Sequence, residues 1–428
     1  MKLKRLLPLI LIIVGGLLAK AVELKPIGMN AIPTTKENKL IGISALTMLP
    51  ENTDVIYLLS DDSGWSTQKI DGEKMKNFAR FNQLSFDGKV YPPVVKEGEL
   101  DSVVALKDKE GAVIDGGDID PEGMALMQKG NLLISSEQDI SSFNVHPTVI
   151  EFDVSGREVA TYPLPDHFSN AASLNPATWG LWGKGVQGVE RNKGIEGITI
   201  IPGSDDSEIA TMTEVPLLQD QALKDRFTRF SIFELKGGKL LPNEEYAYKI
   251  DVFKQGDGHP LTSLSDVPLE NGEKLIMVKK PSSGISDILA IDDNEFIAIE
   301  RTHMIYVPES QKDDKKAWIS KSIIRLYSFS VDDEVTNLVG FDDYGEYKGA
   351  HSIPKDVVPL DKELILDLSE IKEIDGKAVS IDNYNVEGIT YTKLPNGKEI
   401  LVLVSDNGDP GSQAAKQPTT FFIFELIR

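Results

Sequence analysis

Glu-Gly-Ile-Thr-Ile at residues 196–200 is the stretch that decides the fold, because a similar short pattern returns along the chain. The pattern is a glycine followed by apolar and small residues, and repetition of this kind indicates a repeat architecture. Its five copies are Gly42-Ile43-Ser44-Ala45, Gly123-Met124-Ala125-Leu126, Gly197-Ile198-Thr199-Ile200, Gly284-Ile285-Ser286-Asp287 and Gly388-Ile389-Thr390-Tyr391. Each copy is expected to begin one structural unit.

Each copy is followed by a turn and then by a β-prone run that ends in an acidic residue, at 55–61, 132–137, 208–214, 296–300 and 400–406. Such pairs of runs predict hairpins. Several hairpins precede strand-like segments with clearer alternation, at 148–153, 231–235, 323–329 and 421–426. Two buried strands followed by two half-exposed strands are typical of a propeller blade. Helical character is conceivable only at 73–81, 217–227 and 361–374.

We therefore predict an all-β protein, a single β-propeller of four-stranded blades with long loop insertions. Five repeats are visible, but their spacings exceed the ~40–50 residues of a minimal blade, so five or six blades are both open. The interval between Gly284 and Gly388 is the best place for a degenerate sixth blade. Residues 22–33 are expected to supply the strand that closes the last blade.

Residues 1–21 carry a basic start, a short apolar run and an Ala-Lys-Ala ending, which is the pattern of a secretory signal peptide. We expect cleavage before Val22, leaving the propeller as residues 22–428. The alternative is an uncleaved N-terminal anchor. Cleavage predicts an exported protein, periplasmic or extracellular, with no stable membrane association afterwards.

The composition excludes several function classes. The 428 residues include no cysteine, which removes disulfides, thiolate nucleophiles and Cys-ligated metal centres. The 67 acidic residues outnumber the 45 basic ones, giving a formal net charge of -22. This charge argues against nucleic acid as a partner and favours cations. We expect a monomer that acts on a small molecule and uses no organic cofactor.

An acidic residue stands directly before the repeat glycine in three copies, as Glu122, Glu196 and Glu387, and Asp120 lies two residues before the first of these. In a propeller, the first strands of the blades line one central channel, so these carboxylates are expected to converge. Converging carboxylates either take up protons or bind cations, and carboxylate oxygens favour calcium. The alternative is that each Glu accepts backbone or Lys/Arg hydrogen bonds while the glycine permits tight packing.

The motifs that carry a family resemblance are Asp-Pro-Glu-Gly at 120–123, Ser-Ser-Glu at 135–137, Asn-Lys-Gly-Ile-Glu-Gly at 192–197, Ile-Glu-Arg at 299–301, Asn-Val-Glu-Gly at 385–388 and Val-Ser-Asp-Asn at 404–407. Together they resemble the phytase-like ("esterase-like activity of phytase") family of secreted bacterial proteins. The resemblance implies a β-propeller related to calcium-dependent alkaline phytases, with phosphoester or ester hydrolase activity.

If the protein is an enzyme, the residues suggest metal-assisted hydrolysis at the propeller mouth. Calcium would be held by Asp120, Glu122, Glu196 and Glu387. Glu137 or Glu300 would orient the attacking water, and Arg301 would stabilise developing charge. The alternative function is a non-catalytic secreted propeller that binds a ligand or protein partner, with the carboxylates serving a structural calcium site.

Overall fold

The computed structural model describes residues 22–35, 37–49, 54–61, 68–70, 73–75, 78–96, 102–115, 118–137, 147–169, 187–190, 192–221, 223, 225–266, 269, 271–341, 353–407 and 418–428. Strands dominate these residues, which confirms the all-β prediction. Helical turns within them are short 3₁₀ segments: Asp166–Phe168, Leu218–Asp220, Pro260–Asp266, Glu309–Gln311, Lys315–Ala317, Leu368–Glu370 and Ile381–Asn383. The proposed signal peptide lies outside the described residues.

Four-stranded antiparallel sheets follow one another along the chain, and we number them as blades. Blade 1 contains β2 (Ile43–Thr47), β3 (Val55–Ser60), β6 (Arg80–Asp87) and β7 (Val94–Lys96), with β8 (Ser102–Ala105) also paired to β6. Blade 2 contains β9 (Pro121–Leu126), β10 (Leu132–Ser136), β11 (Thr148–Phe152) and β12 (Glu158–Pro163). Blade 3 contains β13 (Ile195–Ile200), β14 (Glu208–Thr213), β15 (Phe227–Lys236) and β16 (Lys239–Lys249).

Blade 4 contains β17 (Leu275–Ala290), β18 (Glu295–Pro308), β19 (Ile319–Ser330) and β20 (Lys362–Asp367). Blade 5 contains β23 (Asn385–Lys393), β24 (Glu399–Asp406), β25 (Thr419–Ile427) and β1 (Glu23–Ile32). Two small hairpins stand outside the blades: β4 (Gln68–Ile70) with β5 (Glu73–Met75), and β21 (Glu373–Ile374) with β22 (Lys377–Ala378). Pairing of β1 with β25 confirms that the N-terminal strand closes the last blade.

The inner strands contact one another in a closed order, β2, β9, β13, β17, β23 and back to β2. Residues from all of these strands line a cavity of about 720 Å³ at one end of the resulting channel. This arrangement is a β-propeller. Five sheets take part in this closed order, and the described residues between Gly284 and Gly388 form no further four-stranded sheet.

The hydrophobic core lies between neighbouring blades. Ile299 and Leu326 of blade 4, for example, pack in one cluster with Leu401 and Phe422 of blade 5. The three segments considered as helices are corrected by the structure. Their described residues form strands and short 3₁₀ turns, because apolar side chains such as Phe81, Phe227 and Leu368 are buried there. Among the described residues, no helix is long and apolar enough to cross a membrane.

Every inner hairpin carries a register shift near its start, and these shifts correct the sequence alignment of the repeats. In blade 3, Ile195 pairs with Thr213 and Gly197 with Met212, which leaves Glu196 as the extra residue. The residues at the same position in the other blades are Ser44, Glu122, Ser286 and Glu387. Gly42 and Gly284 are therefore equivalent to Gly194, three residues before the position of Gly123, Gly197 and Gly388.

Candidate metal centre at the channel mouth

The two sets of acidic residues predicted from the sequence meet at the end of the channel opposite the cavity of about 720 Å³. We call this end the mouth. Its residues are 42–44, 61, 120–122, 137, 193–196, 214, 284–286, 301, 385–387 and 406. Backbone hydrogen bonds fix this meeting, because Glu137 N donates to Asp120 O at 2.8 Å and Glu214 N donates to Gly194 O at 2.9 Å. The residue after the second strand of a blade thus stands beside the start of its inner strand.

Close approach of the inner strands brings the carboxylates of different blades together. A Cβ atom on Gly123 would lie 2.4 Å from the carbonyl oxygen of Glu196, and one on Gly197 would lie 2.7 Å from Ile288 N. Real Cβ atoms do not approach backbone atoms so closely, so only glycine fits here. The Gly of each Glu-Gly pair therefore allows the packing that places its Glu at the mouth.

Two groups of carboxylates could hold a metal ion. The first contains Asp120, Glu122 and Glu137, and the second contains Glu137, Glu196 and Glu214. In each group, one oxygen from each residue lies within 4.8 Å of the others. Glu122 and Glu196 are half-buried, whereas the other three are buried. Glu137 belongs to both groups and therefore joins them.

Crowding of these carboxylates changes their proton affinity. Burial raises the pKa of Glu122 well above its usual value, and the charges of Glu196 and Asp61 raise it further. Burial also raises the pKa of Glu137, with added repulsion from Asp120 and Glu214. The pKa of Glu196 rises for the same reasons, burial first and Glu214 next. Such a site takes up protons unless a cation neutralises it.

The side chain of Glu137 supplies the test of whether a cation fits. It is 3% exposed, and its Oε1 accepts a hydrogen bond from Gly194 N. Its Oε2 is buried and receives no hydrogen bond within the described part of the chain. A buried carboxylate oxygen without a donor is costly, whereas hard cations prefer such oxygen ligands. The donor set at the mouth therefore fits a hard divalent cation.

Two cationic side chains already balance part of the negative charge. Lys193 Nζ bonds both carboxylate oxygens of Glu214, at 2.5 Å. Arg301 Nη1 bonds the carboxylate of Glu387, and also Asn385 Oδ1 at 2.6 Å. Glu387, expected among the metal ligands, is thus held in an ion pair and belongs to neither carboxylate group.

Glu300 is the predicted site residue that the structure places elsewhere. Successive residues of a strand point to opposite faces, so Glu300 and Arg301 diverge. The buried carboxylate of Glu300 accepts hydrogen bonds from Tyr248 Oη at 2.8 Å and Asp251 N at 2.9 Å, and it also bonds Lys362. Arg301, in contrast, takes the position that Glu137 and Glu214 occupy in their blades. We therefore leave Glu300 out of the candidate site.

Glu214 and Lys193 are the site residues that sequence reasoning did not select. Glu214 ends a β-prone run, as Glu137 does, so its position was available from the repeat pattern. Lys193 lies within the motif at 192–197, but a lysine in a turn is ordinarily a solvated surface residue, so the motif alone did not assign it to the site.

This fold and site define the class of the protein, a β-propeller with a carboxylate-lined channel mouth. The model of the Phytase-like family, described as esterase-like activity of phytase, matches residues 38–409. The chain belongs to this family, which confirms the resemblance found in its motifs.

Solved structures resemble the chain over nearly its whole length but at low identity. An α-L-arabinofuranosidase from Podospora anserina in complex with cellotriose is 7% identical with a TM-score of 0.40, covering 95% of this chain and 97% of that one. AofleA from Arthrobotrys oligospora is 9% identical with a TM-score of 0.32, covering 94% and 86%. At such TM-scores these similarities carry no argument about activity. No curated protein matches the chain.

Proposed function

We propose that the protein is a hydrolase that cleaves a phosphoester or a carboxylic ester at the channel mouth with the help of a bound calcium ion. The observation that carries this proposal is the pair of carboxylate groups joined by Glu137, whose buried Oε2 receives no hydrogen bond from a described residue. Membership of a family described by an esterase-like activity of phytase supports the same reaction class.

The residues that would hold the cation are Asp120, Glu122, Glu137, Glu196 and Glu214. When bound, the cation would polarise the phosphoryl or acyl oxygen and offset the negative charge of the mouth. Glu122 and Glu196 are half-buried, so either of them that does not bind the cation would be accessible to orient the attacking water. Arg301 stands beside them and would stabilise charge that develops on the ester oxygen.

A second function, a non-catalytic propeller with a structural calcium site, is favoured by one observation. Both described cations of the mouth are engaged, Lys193 with Glu214 and Arg301 with Glu387. An active site for an anionic ester needs cationic groups that the substrate can reach. In this alternative, the mouth would stabilise the propeller or bind a partner.

We propose that the protein is exported to the periplasm or the extracellular space, and that it works as a monomer on a small molecule. Its excess of acidic residues supports the absence of nucleic acid from its partners.

The deciding experiment measures product release from phosphomonoesters, including phytate, and from carboxylic esters, with calcium and with a chelator. Glu196→Gln should lose calcium-dependent turnover. Glu208→Gln is the matched control, since Glu208 begins the same strand β14 that ends beside Glu214. Calcium that raises the melting temperature without turnover on any ester would support the binding propeller instead.

A further inference from the structure

A small cavity of about 270 Å³ lies in blade 3 beside the segment that joins β14 to β15. Pro216 and Leu223 supply apolar wall, while Glu190, Gln221 and Arg226 supply polar groups. Asp220 and Asp225 complete the lining. Polar or charged side chains thus make up five of the seven described lining residues, and Arg226 is the cation among them.

The aspartates and the glutamate of this cavity all have partners. Asp220 Oδ2 accepts a hydrogen bond from Arg229 Nε at 2.9 Å, and both side chains are fully buried. Asp225 pairs with Lys249 at 3.4 Å. Glu190 accepts a hydrogen bond from Gln221 Nε2 at 2.7 Å.

Arg226 differs, because its guanidinium makes no hydrogen bond or ion pair with any described residue. The side chain is half-buried, and burial lowers the pKa of Arg226 while the nearby charges of Glu190 and Glu214 raise it. A partly buried charge without a partner is unfavourable. A guanidinium offers a planar fork of donors that matches phosphate and carboxylate oxygens.

Position connects this cavity to the mouth. Residues 214–226 join β14 to β15. Glu214, a member of the second carboxylate group, is the first residue of this segment, and Arg226 is the last. Glu214 is near enough to act electrostatically on Arg226. The cavity therefore lies in the same blade as Glu214.

We propose that this cavity binds the oxyanion group of the protein's ligand, a phosphate or a carboxylate, through the guanidinium of Arg226. Arg226 then supplies a cation that makes no ion pair with a described residue, whereas Lys193 and Arg301 are both paired with carboxylates. The inference rests on the proposed function and deepens it, because it gives an anionic ester a subsite in the blade that also supplies Glu196 and Glu214.

The test is calorimetric titration of inorganic phosphate and, separately, acetate into the full chain in a calcium-free buffer with chelator. Wild type should bind at least one of these anions, and Arg226→Gln should weaken that binding about tenfold or more. Lys249→Gln is the matched control, since it removes one positive charge paired at the same cavity and leaves Arg226 in place. Its effect should stay below about twofold.

Failure of wild type to bind either anion would overturn the proposal, as would equal weakening by Arg226→Gln and Lys249→Gln. Unfolding of the Gln variant is not expected, because Arg226 makes no hydrogen bond with described residues. Arg226→Lys supplies a second arm, since it keeps the charge and loses the fork, and intermediate affinity is expected. Tighter binding of phosphate than of acetate would favour a phosphoester as the ligand. The opposite order would favour a carboxylic ester.

The chelator separates this inference from the proposed function. Anion binding through Arg226 without cleavage of any ester would contradict the hydrolase alone. Calcium-dependent cleavage with unchanged anion affinity in Arg226→Gln would contradict the subsite alone.

Discussion

Blades 3 and 4 share one backbone pattern at the mouth but carry opposite chemistry. Blade 3 has Glu196 at the extra residue of its register shift and Gly197 next, whereas blade 4 has Ser286 and Asp287. The second strand of blade 3 is followed by Glu214, and Arg301 holds the equivalent place in blade 4. The strand frame therefore fixes where a side chain stands, and the residue type decides what it does there.

In blade 4, Ser286 and Asp287 stand where blade 3 has the Glu-Gly pair, and the carboxylate of Asp287 has a structural role. Its buried carboxylate accepts hydrogen bonds from Ile288 N at 2.8 Å and from Ile389 N at 2.9 Å, so it links blade 4 to blade 5. Burial raises the pKa of Asp287 well above its usual value, while both backbone bonds oppose that rise. Blade 4 thus uses its carboxylate for structure and offers Arg301 to the mouth, while blades 2 and 3 supply the crowded carboxylates.

The largest effect is expected from substituting the residue that follows the register shift in the inner strand. Gly123→Ala places a Cβ 2.4 Å from the carbonyl oxygen of Glu196, so the inner strands of blades 2 and 3 must separate. We expect a loss of about 3 kcal/mol in the free energy of unfolding. Urea denaturation followed by circular dichroism measures it.

Blade 1 offers the control, because Ala45 already occupies the equivalent position there. Ala45→Gly should cost only about 1 kcal/mol, the ordinary penalty of an added glycine in a strand. Equal stability of Gly123→Ala and wild type would show that the inner strands are farther apart than the structure has them.

Much of the fold was readable from the sequence, since alternating runs and recurring Glu-Gly pairs predict a propeller. The equivalence of the repeats was not, because glycine serves two different needs at the mouth. Gly123 and Gly197 make room for a neighbouring backbone, whereas Gly284 lies against the side chain of Glu214. A pattern of glycines cannot distinguish these contacts, and the register shift adds one residue that single-sequence reasoning does not reveal.

The site was predictable to the extent that acidic strand ends and Glu-Gly pairs recur together. Glu300 shows the limit. In the sequence it ends a β-prone run like Glu137, but β18 continues to Pro308, so Arg301 takes the equivalent position. A shift of one residue turns a strand side chain to the other face, and only the register of β17 and β18 fixes that choice.

The cations of the two blades give the next test of the comparison. Lys193 binds Glu214, a proposed ligand, so Lys193→Met should remove a competitor and raise calcium affinity about tenfold. Arg301 binds Glu387, outside both carboxylate groups, and Arg301→Met should raise affinity less, about twofold. Competition with a chromophoric calcium chelator measures both. Unchanged affinity in Lys193→Met would remove Glu214 from the proposed ligands.

The pH dependence of stability tests whether the crowded carboxylates of blades 2 and 3 take up protons, and it is the smallest of the expected effects. The pKa values of Glu122 and Glu196 are raised in the folded protein above the usual 4.5, so the folded state binds more protons than the unfolded state. Their contribution is fully present below that value and is lost as the pH rises through the folded pKa values. In chelator, the free energy of unfolding should therefore fall with rising pH more steeply for wild type than for Glu122→Gln. Glu208→Gln, whose carboxylate lies at the other end of β14, should keep the wild-type slope.

If the slope for Glu122→Gln equals that of wild type, the crowded carboxylates are relieved without proton uptake. Calcium should flatten the wild-type slope, because the bound cation takes the place of the protons.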